Sequence, residues 1–148
     1  LAGDDIVGTT DKDAESGEVG ISMNVMNIGL VAYAYSGEGV GTTGMLSDGF
    51  SSDGKARDSD GGYVQATYVI PMGTKLGVSY GISKLDANAI DATKNLVKQN
   101  ERWTLGAYHP LTKHLNLVAE YSQVESEANN NLADLETDIF SVGAILFF

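Results

Sequence analysis

The chain has no cysteine among its 148 residues, so neither a disulfide framework nor a thiolate metal site can be built from it. Proline is nearly as scarce, at two residues, which leaves long stretches free to run as unbroken backbone ladders. Positive charge is short as well: 9 Lys and Arg stand against 20 Asp and Glu, a formal net charge of −11. Phosphate backbones demand clustered Lys and Arg, so nucleic acid is excluded as a partner. Apolar helices are also lacking. The longest uncharged run, VGISMNVMNIGLVAYAYSG at 19–37, is long enough to cross a bilayer as a helix. Its apolar residues instead alternate with small or polar ones, which is the period of a strand. A mean hydropathy of −0.08 also speaks against a helical membrane protein. The opening residues, LAGDDIVGTT, carry no basic n-region and no apolar h-region, so no secretion signal is read in them.

What the chain does have is glycine, at 18 residues, and a period of two. Together they favour an all-β protein with many turns. Seven segments alternate, at about 17–25, 28–36, 62–71, 75–85, 101–109, 115–125 and 138–148. In 75–85, Leu76, Val78, Tyr80 and Ile82 share one face, and Lys75, Gly77, Ser79, Gly81 and Ser83 the other. In the last segment Phe140, Val142, Ala144, Leu146 and Phe148 line up on one side.

The connections alternate too, short ones at 26–27, 72–74 and 110–114 with long polar ones at 38–61, 86–100 and 126–137. Ordinary loops have no reason to alternate so regularly. Transmembrane barrels do, with short turns on one rim and long external loops on the other. A membrane-spanning strand needs about 9–11 residues, a length most of these segments reach. The pattern therefore predicts an antiparallel, up-and-down transmembrane β-barrel with its apolar face towards lipid and its small polar face towards a lumen. Residues 1–16 are expected to be the end of an external loop, with the strands in 17–148. Tyr80, Trp103 and Phe140 should mark the outer interface, and Tyr68 and Phe148 the inner one. The long connections should be mobile and acidic, around Asp48, Asp53, Asp58, Asp60, Glu125, Glu127, Asp134 and Glu136, with Lys55 and Arg57 exposed to protease.

The ending SVGAILFF resembles the C-terminal signature of Gram-negative outer-membrane barrels, carried by Phe140, Val142, Ala144, Leu146 and Phe148. YAYSGEGVGTTG (33–44), RDSDGGYVQATY (57–68), TKLGVSYGISKL (74–85) and WTLGAYHPLTKHLNLVAEYS (103–122) resemble the C-terminal part of general diffusion porins. The resemblance runs from about residue 17 to 148. It implies the C-terminal portion of a larger barrel of about sixteen strands. It further implies a homotrimer in the outer membrane of a Gram-negative bacterium, surrounded by lipid and lipopolysaccharide and delivered by the barrel-assembly machinery through its last strand. That family's constriction loop and arginine-rich eyelet lie in its N-terminal half, so no eyelet residue is carried over. Seven is an odd count, whereas bacterial single-chain barrels have an even one.

Other motifs weigh less. GVGTTG at 39–44 matches G-x-G-x-x-G, but no helix follows to meet a pyrophosphate, so it is expected to be loop. His109 and His114 flank a tight turn with no third zinc ligand nearby, and DSDGG at 58–62 does not complete a calcium loop. No nucleophile elbow is found. The expectation is a non-enzymatic protein without metal or cofactor, passing small hydrophilic solutes and ions by passive diffusion. Gln65, Thr67, Lys75, Ser79, Arg102, Thr104, Asn116 and Glu120 should line the pore. The alternative is a small closed eight-stranded outer-membrane barrel with a structural or adhesion role, its eighth strand drawn from residues 1–10.

Overall fold

The alternating segments form seven antiparallel strands. In chain order these are β1 (Glu15–Val25), β2 (Ile28–Glu38), β3 (Asp58–Val69), β4 (Lys75–Leu85), β5 (Val97–Pro110), β6 (Leu115–Ala128) and β7 (Leu135–Leu146). The computed structural model describes residues 13–42, 48–91, 95–130 and 134–148. The expected loop at 1–16 and the eighth strand at 1–10 thus fall largely outside the described residues, as does the end of GVGTTG. Among the described residues each strand pairs only with its neighbours in sequence, giving one up-and-down sheet in the order β1 to β7. A single 3₁₀ turn at Ala89–Asp91 is the only helix among the described residues. No helix among them is long and apolar enough to cross a membrane, which leaves strands out of account.

Tight turns set the register. Val25 pairs with Ile28 across Met26 and Asn27, and Met26 takes a φ of 54° to fit the two-residue hairpin. The β3–β4 turn closes with Gly73 at a φ of 86°, where its amide donates to the Ile70 carbonyl at 2.8 Å. Between β5 and β6, the Leu111 amide donates to the Leu115 carbonyl at 2.9 Å.

At the long-connection end the strands run further than the apolar pattern does. The β2–β3 ladder continues to the pair Glu38–Asp58, so Asp58 and Asp60 lie in a strand. Glu125 and Glu127 belong to β6 and Glu136 to β7. Polar side chains carry no alternation to mark such extensions, yet their backbones pair as well as any. At the other end β7 stops at Leu146, leaving Phe147 and Phe148 beyond the strand. The Phe147 amide still donates to the His114 carbonyl at 2.8 Å, but β6 begins at Leu115 and offers no further ladder partner.

Candidate functional site: a sheet with two unlike faces

Residues directly opposite one another in an antiparallel pair share a face. One row therefore runs Ser22, Val31, Gln65, Ser79, Thr104, Ser122 across six strands. By the same registers Thr67, Lys75, Arg102, Asn116 and Glu120 belong to this polar face. All eight residues expected to line a pore thus sit on one side of the sheet. The opposite face carries Ile21, Leu30, Val64, Val78, Leu105, Leu117 and Val142, alternating strictly with the polar set. Phe140, Val142, Ala144 and Leu146 lie on it along β7, while Phe148 is past the strand end.

Among the described residues nothing is packed on the apolar face. Ile21 is 70% exposed, Val142 73% and Phe140 74%. Among the described residues only Leu85 and Leu96 are buried apolar side chains, so no core lies behind the sheet.

That apolar band has an aromatic upper edge. Tyr80 stands opposite Trp103, and Tyr121 opposite Phe140. Trp103 and Tyr121 meet edge to face, with centroids 5.2 Å apart. The two tyrosine hydroxyls turn towards the long connections, and the indole N–H turns sideways to the residue opposite it. Tyr80 donates its hydroxyl to Glu101 at 2.6 Å, Tyr121 to Asp138 at 2.7 Å, and the Trp103 indole N–H to Gln123 at 2.6 Å. Just above, Glu101 faces Glu125 and Glu125 faces Glu136. The sequence placed Glu136 in a loop and Glu125 at the end of a strand; they form part of an acidic collar on the apolar side of the sheet.

The polar face is held by its own network. Arg102 donates from Nη2 to Ser122 at 2.9 Å and from Nε to Thr104 at 3.2 Å. The Thr104 and Ser122 hydroxyls are 2.8 Å apart, and Tyr108 donates its hydroxyl to Glu120. Towards β1, Tyr33 donates to Glu18 at 2.6 Å, and the Tyr35 and Ser83 hydroxyls are 2.6 Å apart. Tyr33, Tyr35, Tyr63 and Tyr108 were missed as candidates because an aromatic residue suggests an apolar face. Their parity within each strand was the available signal.

The three long connections meet at a buried ion pair. Arg57 is 2% exposed and Asp91 fully buried, with Nε to Oδ2 at 2.8 Å. Arg57 also donates Nη1 to the carbonyls of Asp48 at 2.5 Å and Phe50 at 2.7 Å. The Asn129 side chain donates to the Asp91 carbonyl at 3.1 Å and accepts from the Leu96 amide at 3.2 Å. The Asp91 carboxylate, helped by the charges of Asp48 and Asp53, outweighs burial and holds the guanidinium above its already high ordinary pKa. Arg57 was expected to be exposed to protease, and its burial corrects that expectation. Lys55, whose side chain is 75% exposed, keeps the exposure expected of it.

The two histidines serve the short-turn end. His109 Nδ1 lies 2.9 Å from the Thr74 hydroxyl, and His114 Nδ1 lies 3.2 Å from the Phe147 carbonyl oxygen. No group of three or more acidic, histidine or cysteine residues able to hold a metal is found among the described residues. No family model, no curated protein and no solved structure matches the chain.

Proposed function

We propose that the sheet is a wall of a transmembrane β-barrel in a Gram-negative outer membrane, through which small hydrophilic solutes and ions diffuse passively. The single observation that carries this reading is the uncovered apolar face opposite a hydrogen-bonded polar one. A water-soluble sheet covers its apolar face with helices or a second sheet, and among the described residues 26 large apolar side chains, on both faces and in the turns, are exposed against two buried. Lipid on one side and a water-filled lumen on the other would satisfy both faces. Strand lengths of 11 to 14 residues meet the requirement of about 9–11 residues per crossing. The aromatic edge below an acidic collar has the order expected at a membrane–water interface, where amphipathic rings sit with their polar atoms towards water.

In this reading the channel is passive: width sets the size limit and wall charges bias the ions. Gln65, Thr67, Lys75, Ser79, Arg102, Thr104, Asn116 and Glu120 are the wall. A larger barrel of about sixteen strands, its assembly as a homotrimer and its contact with lipopolysaccharide belong to the same proposal. The test is ion conductance of the full-length protein in a planar bilayer. Stepwise, ohmic current is expected, and its absence would sink the assignment.

A further inference from the structure

We infer that the polar face carries a recognition site for a polyhydroxylated ring, a saccharide, in the gap between Tyr63 and Arg102. The inference rests on the channel reading for the water-filled space in front of that face.

The register row Gly20, Tyr33, Tyr63, Gly81, Arg102 crosses five adjacent strands. Tyr33 of this row and its neighbour Tyr35 lie along the sheet rather than standing up from it. Tyr35 faces Gly61, which faces Ser83, and the Tyr35 hydroxyl reaches Ser83 at 2.6 Å. A ring tethered two strands away must lie over the intervening glycine. Gly61 permits this, since a Cβ there would come within 2.7 Å of the Tyr35 ring. Tyr33 is held likewise by Glu18, with its ring 3.6 Å from where a Gly20 Cβ would be. Tyr33 stacks at 6.2 Å from Tyr35 and 5.6 Å from Tyr63, so three rings form a continuous aromatic strip. Such rings offer large, rigid π surfaces with a polar handle.

The strip ends at a hollow of about 350 Å³ lined by Tyr63, Gln65, Ser79, Gly81, Arg102 and Glu120. Its volume lies within the range of small-ligand sites. Gly81 stands between Tyr63 and Arg102 in the register. The charges balance, one guanidinium against one carboxylate. A charged solute would meet an attractive and a repulsive group at once, whereas a neutral polyol uses both. Its C–H face would rest on Tyr63. Its hydroxyls would accept from Arg102 and Gln65 and donate to Glu120 and the Gln65 carbonyl. Arg102 spends two of its five N–H groups on Thr104 and Ser122, which aims the fork and leaves donors for a solute.

The test pairs two readouts on the full-length chain with maltose as probe: block of ion current in planar bilayers, and saturation-transfer NMR on the detergent-solubilised protein. Both should saturate with maltose, and Tyr63→Ala should weaken the apparent affinity about tenfold while Tyr63→Phe changes it by less than about twofold. If Tyr63→Ala fails to assemble, Gly81→Ala probes the same gap. Its added Cβ would lie 3.3 Å from the Tyr63 Cβ and should also weaken binding. Conductance that falls only linearly with maltose, as it does with glycerol, and no saturable NMR signal would overturn the site. Saturable NMR binding by a protein that passes no current would overturn the channel reading and leave the site standing. Absence of both current and binding would overturn both.

Discussion

Arg57 and Asp91 are the costliest residues to disturb singly. Removing one partner of a buried ion pair leaves the other charge desolvated, a loss of about 3–5 kcal/mol. Because the pair joins connections rather than strands, that loss should open the loop cluster while the sheet stays paired. Asp91→Asn is therefore expected to raise trypsin cleavage after Arg57 by roughly a hundredfold, with strand-region circular dichroism unchanged. The untouched protein should be cut after Lys55 first. A second residue-scale expectation concerns Asp53, which accepts from the Ser51 hydroxyl and lies 3.2 Å from the Lys55 ammonium. The Ser51 hydrogen bond, helped by Lys55, holds this carboxyl below its ordinary value. A depressed carboxyl pKa adds stability at pH above the ordinary value and loses it as pH falls through the lowered one. Carbon-detected NMR titration should find Asp53 titrating below an ordinary aspartate, and Ser51→Ala should move it up.

Strands carry their own test, because neighbouring positions lie on opposite faces of the sheet. Leu117, on the apolar face of β6, should cost about 2–4 kcal/mol when changed to Arg if it lies at mid-membrane. Asn116, one position away on the polar face, should accept the same charge at little cost. Cysteines placed at 116 and 117 should differ in labelling by a membrane-impermeant thiol reagent in proteoliposomes, and equal labelling would contradict the two-faced assignment. Most of this level was legible in the sequence. In β4 the split of Leu76, Val78, Tyr80 and Ile82 from Lys75, Ser79 and Ser83 is complete, so element type, both faces and all eight polar-face positions followed from parity alone. Strand ends did not, since Asp58, Asp60, Glu127 and Glu136 pair through backbone groups that their side chains do not advertise. Nor did the Arg57–Asp91 pair, whose partners are 34 positions apart in connections without a periodic signal. The flat tyrosines escaped notice because their orientation depends on glycines of adjacent strands, brought alongside only by the register.

For the molecule as a whole, charge is the leading property. Acidic groups at the long-connection end, including Asp48, Asp53 and Asp86 in the connections, should concentrate cations at the mouth of the proposed channel within about 8 Å at physiological salt. The walls do not oppose this strongly, with Lys75 and Arg102 against Glu18 and Glu120. Mild cation preference that fades as salt rises is expected, and reversal potentials showing anion selectivity at low ionic strength would refute it. The collar makes a separate demand. Glu101, Glu125 and Glu136 stand directly opposite one another, and like charges so placed repel. Raising NaCl from 0.01 to 1 M shortens the screening length from about 30 Å to about 3 Å, so the thermal midpoint should rise. A fall would mean that attractive pairs such as Lys98–Glu127, at 2.8 Å, dominate.

Pairing confined to sequence neighbours also dictates an order of assembly. The cost of closing a loop grows with the logarithm of its length, and the shortest closures are those at 26–27, 70–74 and 111–114. Three hairpins, β1–β2, β3–β4 and β5–β6, can therefore zip independently before anything joins them. β7 then adds across 129–134 and β4 meets β5 across 86–96, while β2 and β3 must wait for the span 39–57 to close. The ladder from Ile28–Tyr68 to Glu38–Asp58 should be the last to gain protection in pulsed hydrogen exchange, making the seam between the first hairpin and the second the slowest part of the sheet to form.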